Sequence, residues 1–355
     1  MSTSHVTVHK NAANDPPHLL VILCHGFQGS HNDFVRLVPT LASTFSNKSI
    51  FVITTMSNEG WPGPWHPTRQ GTLPCATRAY NEILTIINGH KEATQLNSVV
   101  VLGHSFGGIY SRAMLKLMKD DNVIPARLFP LMYISMASPH LGVRWRPSLL
   151  TSVWQFGASV VAGRTGAELL LEDNDTTLLT IASGEYLNAL KLFQSHVCYG
   201  NVQNDLQVPL CTASIRSRNP YRTRMTQIEV PDSNYPSIVA LREEETIGNE
   251  KNEESKENKV TSDKEMIKPF SGNQCGDTIR TIHDNLNTID WIRIDCICGI
   301  DCHSQIIGNH PFFQSKGIDV ITHLSNSILQ NSNARAETTQ LKLNKSRRFN
   351  LQTET

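Results

Sequence analysis

The stretch from Asn97 to Leu117, NSVVVLGHSFGGIYSRAMLKL, limits what this chain can fold into more than any other. Val99-Val100-Val101-Leu102 is β-branched, apolar and too short for a helix, so it reads as a buried strand. A helix-type pattern begins at Ile109. Between them stands Gly103-His104-Ser105-Phe106-Gly107-Gly108. A passage from strand to helix in so few residues puts Ser105 in a strained backbone conformation, and a Cβ at position 103 or 107 would collide across the turn. This is the G-x-S-x-G nucleophile elbow, which requires a strand before it and a helix after it. The plainer reading is a Gly-rich turn that only lets a strand enter a helix. The two flanking elements and the third glycine favour the elbow.

The chain has 355 residues and formal net charge zero. That length holds one large α/β domain or two smaller ones, with a substantial core that needs no staples. The neutral balance gives no argument for nucleic acid as a partner. Several of the eight cysteines lie in apolar runs, as Cys24 does in Leu19–Cys24. Free, buried cysteines of that kind suit a reducing compartment. Met1 to Pro17 is polar and lacks the apolar core of a signal peptide. No run of 18 apolar residues offers a membrane span. The expectation is a cytoplasmic protein, soluble or peripheral on membranes.

Strand-like and helix-like patterns alternate through the first half. His18–Cys24 is a buried-strand run that ends in His25-Gly26-Phe27-Gln28-Gly29. Phe34, Leu37, Val38, Leu41 and Phe45 follow at helical spacing, then a strand at Ser49–Thr54. Asn58 to Thr72, with its Gly, Pro and Trp, reads as an irregular loop. A helix from about Leu73 to Gly89 and the elbow unit come next. Leu128–Met136 is another strand, and His196–Val202 a further one. This alternation predicts a mostly parallel sheet covered by helices on both faces. Trp145–Ala162 is apolar enough to be a lid or acyl-chain wall, with an ordinary packing helix as the plainer reading. The segment at about 242–268 is dense in Glu, Lys, Asn and Ser and reads as a disordered surface insertion. Thr288–Cys298 is the last strand, Gly299–Gln314 a loop, Ile318–Leu329 the closing helix, and the remainder a polar tail. The expected division is a polar segment at 1–17, a catalytic domain at 18–331 and a tail at 332–355.

A serine hydroxyl needs a base within hydrogen-bond reach, and the base needs a partner that fixes its tautomer. After an elbow of this type the chain order is Ser, then Asp or Glu, then His, on loops at the carboxyl ends of strands. Asp205 lies two strands after the elbow strand, just beyond a strand end, and is preferred over Asp232 and Asp175. A turn-forming Asn-Asp pair is its alternative reading. His303 and His310 follow the last strand; His303 is preferred because its reach back to the sheet is short. His283 precedes that strand, and His323 sits in the final helix. The oxyanion donors are expected to be the amides of Phe106, directly after the nucleophile, and Phe27, in the loop after the first buried strand. The spacing of Cys296, Cys298, Cys302 and His303 matches no common zinc pattern. No metal or organic cofactor is called for.

Taken together, these pieces resemble the lipase-like serine esterases, α/β hydrolases that include yeast acylglycerol lipases. The resemblance rests on Leu23–Gly29, Gly103–Gly108, Ala137-Ser138-Pro139-His140-Leu141-Gly142, and Gly163-Arg164-Thr165-Gly166 with Leu169–Asp173. It extends to Asn204-Asp205 before Val208-Pro209, and to His303–Ile307 after Trp291-x-Arg293-x-Asp295. It covers about His18 to Ile215 and about Asp290 to Leu329, and the long Arg216–Asn287 interval departs from it. The resemblance implies an α/β-hydrolase fold, a triad of Ser105, Asp205 and His303, and an acyl ester as substrate. The expected partner is a lipid or ester substrate, with peripheral contact to a membrane or lipid droplet compatible with it. Two other readings stand beside this one: a catalytically inactive binding protein on the same fold, and a thioesterase or acyltransferase using the same triad.

Overall fold

The computed structural model describes residues 5–11, 15–143, 163–173, 176–222, 224–242, 273–309 and 317–353. Two stretches singled out above, Trp145–Ala162 and most of the charged insertion, lie outside them.

The strands are β1 (His5–His9), β2 (Leu19–Cys24), β3 (Ile50–Thr54), β4 (Ser98–His104), β5 (Phe129–Met136), β6 (Ser195–Asn201), β7 (Ile228–Glu229), β8 (Ile238–Leu241) and β9 (Trp291–Cys296). They form one sheet in the order β1-β3-β2-β4-β5-β6-β9-β8-β7. The six from β3 to β9 in that order run parallel, with β1 antiparallel at one edge and β8 antiparallel beyond β9. This is the mostly parallel sheet that the alternating pattern predicted.

The central strands are apolar on both faces because both faces are covered. Leu20, Ile22, Val99 and Val101 join one core cluster, while Val21, Leu23, Val100 and Leu102 join the other. The first cluster takes in α2 (Thr72–Gly89), α3 (Gly107–Asp120) and the helix Asn273–Leu286. The second takes in α1 (Leu37–Thr44) and the closing helix that starts at Ile318.

The structure differs from the sequence reading at both ends. The segment at 1–17 is polar, yet His5–His9 pairs with β3 as an edge strand, and Val6 and Val8 pack against the first core cluster. The closing helix does not stop at Leu329: it runs Ile318–Thr353, through a stretch that contains neither Gly nor Pro to end it. The Arg216–Asn287 interval also holds more order than its charge suggests, supplying β7, β8 and the helix Asn273–Leu286.

One topological feature positions the site. The chain leaves β2 for β3 on one side and returns to β4 on the other, so the loops after β2 and β4 diverge at the carboxyl edge. Open α/β sheets bind ligands in the crevice at such a switch point.

Among the described side chains, the closing helix packs through the face that carries Val320, Ile321, Leu324 and Ile328. Val320, Ile321, Leu324 and Ile328 are buried, whereas Thr338 is exposed. Leu324→Ala should lower unfolding free energy by about 2–4 kcal/mol in urea titration, the usual cost of emptying a buried leucine site. Thr338→Ala should stay within about 0.5 kcal/mol. Equal effects would contradict this packing.

Candidate active site

Ser105 sits directly after β4 with φ 53°, the left-handed region that a side chain-bearing residue adopts under constraint. The constraint is visible on both sides. The Ser105 amide donates to the Met136 carbonyl at 2.9 Å, tying the turn to β5. α3 starts so close to β2 that a Cβ on Gly107 would lie 2.7 Å from the Cys24 carbonyl carbon and the His25 oxygen. Only glycine permits that approach. The strand-to-helix context of the elbow is therefore present, although α3 begins at Gly107 rather than Ile109.

Asp205 lies in the loop after β6. Its Oδ1 accepts the amides of Val208 at 2.8 Å and Gln207 at 3.1 Å. Its Oδ2 accepts Asn201 Nδ2 at 2.9 Å. Burial by itself would raise the pKa of this carboxyl, but the bond from His303 and these amide donors together hold it below the ordinary carboxylate value. The preferred acid is thus ionised, although it also forms the local turn that was its plainer reading.

His303 is carried by the short helical turn Cys302–Gln305, which follows β9 where a loop was expected. Its Nδ1 lies 3.1 and 3.0 Å from the two Asp205 oxygens, and its Nε2 lies 2.9 Å from Ser105 Oγ. Beside an ionised carboxylate Nδ1 carries the proton and donates. The Nε2 lone pair then faces the serine hydroxyl, which donates to it. All three residues are buried.

The amides of Phe27 and Phe106 belong to the loop after β2 and to the residue directly after Ser105. Neither makes a hydrogen bond among the described residues. The loop carrying Phe27 presses on the elbow: a Cβ on Gly26 would meet Ser105 Cβ at 3.0 Å. Tyr110 Oη donates to the His25 carbonyl at 3.1 Å, and the Gln28 amide donates to Thr68 Oγ1 at 3.0 Å, so the loop is pinned to α3 and to the loop after β3.

The competing residues lie elsewhere. Asp232 caps an exposed turn at Asn234. His283 pairs with Asp284, and His323 with the Tyr199 hydroxyl at 2.9 Å. Asp175 and His310 fall outside the described residues. Among the described residues, no three His, Cys, Asp or Glu side chains are gathered so as to hold a metal ion.

Two braces were not found from sequence. Asn201 Nδ2 bridges Asp205 Oδ2 and the Cys302 carbonyl at 3.2 Å, linking acid and histidine turns. His104, the variable residue of the elbow motif, has Nε2 2.9 Å from the His303 carbonyl. Burial, and then the neighbouring His303, push its pKa down to about 3, so its ring is neutral and Nε2–H donates. Neither residue type carries a signal for such a role.

Residues 13–217 match the family described as "Putative serine esterase (DUF676)". The chain belongs to this family. The matched span contains Ser105 and Asp205 and ends well before His303. A Saccharomyces cerevisiae protein named "Putative lipase ROG1" is 28% identical over 204 residues, 55% of this chain and 28% of that protein. A Schizosaccharomyces pombe protein named "Putative lipase C4A8.10" is 23% identical over 211 residues, 55% of this chain and 26% of that protein. The match thus spans only a minor part of each relative's length. A solved carboxyl esterase of the fungus Tuber melanosporum aligns with 91% of this chain and 80% of its own, at 11% identity and a TM-score of 0.45.

Three buried histidines make the stability of this family member depend on pH. Burial lowers His25 to about 4 and His104 to about 3, and puts His140 well below the ordinary 6.5. Each is neutral when folded and gains a proton on unfolding in acid. Their contribution is therefore fully present above about pH 6.5 and is lost as pH falls toward the folded values. At pH 5 the loss should reach about 2 kcal/mol for His25 and for His104 relative to neutral pH, with His140 adding in the same direction. Urea midpoints at pH 7 and pH 5 check this, and an unchanged or higher midpoint at pH 5 would contradict it.

Proposed function

We propose that the chain hydrolyses carboxylic esters through an acyl-enzyme intermediate, with Ser105 as nucleophile, His303 as general base and Asp205 as the group that orients the imidazole. The observation that carries this reading is the continuous hydrogen-bonded path from Asp205 through His303 to Ser105 Oγ. Ser105 attacks the ester carbonyl while its proton passes to His303 Nε2. The amides of Phe27 and Phe106 hold the oxygen as it becomes negative, helped by the amino-terminal end of α3. His303 returns the proton to the departing alkoxide, and Asp205 stabilises the imidazolium in between. Water, activated by the same imidazole, then releases the acid.

The proposed substrates are lipid acyl esters. Membership of a serine esterase family and two relatives with lipase in their names support the class. Transfer to an alcohol or thiol would use the same intermediate, and comparing products formed with water or with added acceptors separates those outcomes.

Hydrolysis of a short p-nitrophenyl ester tests the roles. Ser105→Ala should reduce kcat by at least about 10⁴-fold. Asp205→Asn should reduce it by about 10³–10⁴-fold with little change in KM, because the wrong tautomer faces the serine. Full activity in Ser105→Ala would remove that residue from the mechanism.

A further inference from the structure

Large apolar side chains stand exposed on loops at the site's edge of the sheet in a way the chemistry does not require. Trp61 is 93% exposed and Trp65 91%, among the largest exposures of any large hydrophobic side chain. Both lie in the loop that follows β3. Leu206, next to Asp205, is 81% exposed, and Ile300, three residues before His303, is 75% exposed. β3, β6 and β9 are parallel, so these three loops leave the same edge of the sheet, the one that carries Ser105. Isolated exposed leucines need no explanation, but two bare tryptophans facing water are unusual in a soluble domain.

The tryptophan loop is a built structure and not a loose excursion. Its base is clamped to α2: Asn58 Nδ2 donates to the Cys75 carbonyl at 3.0 Å, Arg78 Nε to Asn58 Oδ1 at 2.8 Å, and Arg78 Nη2 to the Pro67 carbonyl at 2.9 Å. Gly60 packs so tightly on Pro67 that a Cβ there would lie 2.7 Å from the proline ring. The tip reads Trp61-Pro62-Gly63-Pro64-Trp65, and its prolines fix the backbone that displays the indoles. The loop is also joined to the one carrying Phe27. Glu59 Oε1 accepts the His31 amide at 2.6 Å, and Thr68 Oγ1 accepts the Gln28 amide at 3.0 Å.

We infer that Trp61 and Trp65 are anchors that seat the mouth of the site on a lipid–water interface. The inference rests on the proposed reading of the substrate as a lipid ester. Indoles favour the headgroup level of a bilayer, where the ring body is shielded and the N–H stays hydrated. Exposed apolar side chains on three separate loops, spread along one edge of the sheet, suit a broad surface. A peptide strand or helix would call for a groove. Seated this way, the protein takes an ester from the lipid directly into the crevice between β2 and β4, and the contact bears on the loop that holds Phe27.

Binding and chemistry are tested separately. Co-sedimentation with phosphatidylcholine vesicles is measured on the Ser105→Ala chain, which needs no turnover, with and without Trp61→Ser and Trp65→Ser together. Turnover of a short water-soluble ester is measured on the chain with its serine intact. The double substitution should weaken vesicle binding roughly tenfold or more, with turnover of the soluble ester within about twofold of the parent. Should the double variant fail to fold, quenching by brominated phosphatidylcholine decides: it should fall in both Trp61→Phe and Trp65→Phe. Three results overturn the inference: no vesicle binding by the parent, undiminished binding or quenching in the variants, or a concentration-dependent dimer of the parent that the substitutions abolish. Absence of ester turnover would instead overturn the proposed chemistry and leave the vesicle result standing.

Discussion

The left-handed backbone at Ser105 is the constraint on which the site depends. A residue with a Cβ does not settle at φ 53° unless its neighbours impose it. Here the imposition comes from packing α3 directly beneath β2, with Gly107 where no side chain fits. The same compression sets the start of α3 two residues after the serine. A looser elbow would turn the hydroxyl away from His303 and separate it from the loop of Phe27. The large apolar core on both faces of the sheet supplies the stability against which such strain can be held.

Around that point the protein relies on rigid connections among loops from distant parts of the chain. Asn201 touches both Asp205 and the turn of His303, so two loops about a hundred residues apart move as one. His104 holds the backbone of the residue whose side chain faces Ser105. A neutral imidazole suits this position, because a second cation beside His303 would oppose the imidazolium of the proposed acyl transfer. Tyr110 and Thr68 do similar work for the loop of Phe27. The geometry is thus fixed from several directions before any substrate arrives.

The parts legible in the sequence were those where chemistry or steric demand leaves few choices. The elbow glycines, the apolar β2 and β4 runs, and the Ser, Asp, His order are of this kind, though the elbow and the acid each had a plainer reading beside them, and the structure brings Ser105, Asp205 and His303 together. Short or polar elements were harder. β1 is five residues of alternating His, Val and Thr, and its identity as a strand comes from pairing with β3, a long-range contact that local pattern does not carry. β7 and β8 are shorter still and lie in an interval dominated by charge. The closing helix loses its apolar stripe near Leu329 but meets no breaker, so composition marked an end that the backbone does not have. Asn201 and His104 act through geometry alone.

The central claim is that Ser105 is a nucleophile made reactive by His303. Phosphonylation by a fluorophosphonate, followed by mass mapping of the modified peptide, tests it most directly. The account predicts a single adduct, on the peptide containing Ser105, that is lost or greatly slowed in a folded His303→Ala variant. An adduct on another residue, or labelling of Ser105 at an undiminished rate without His303, would contradict it.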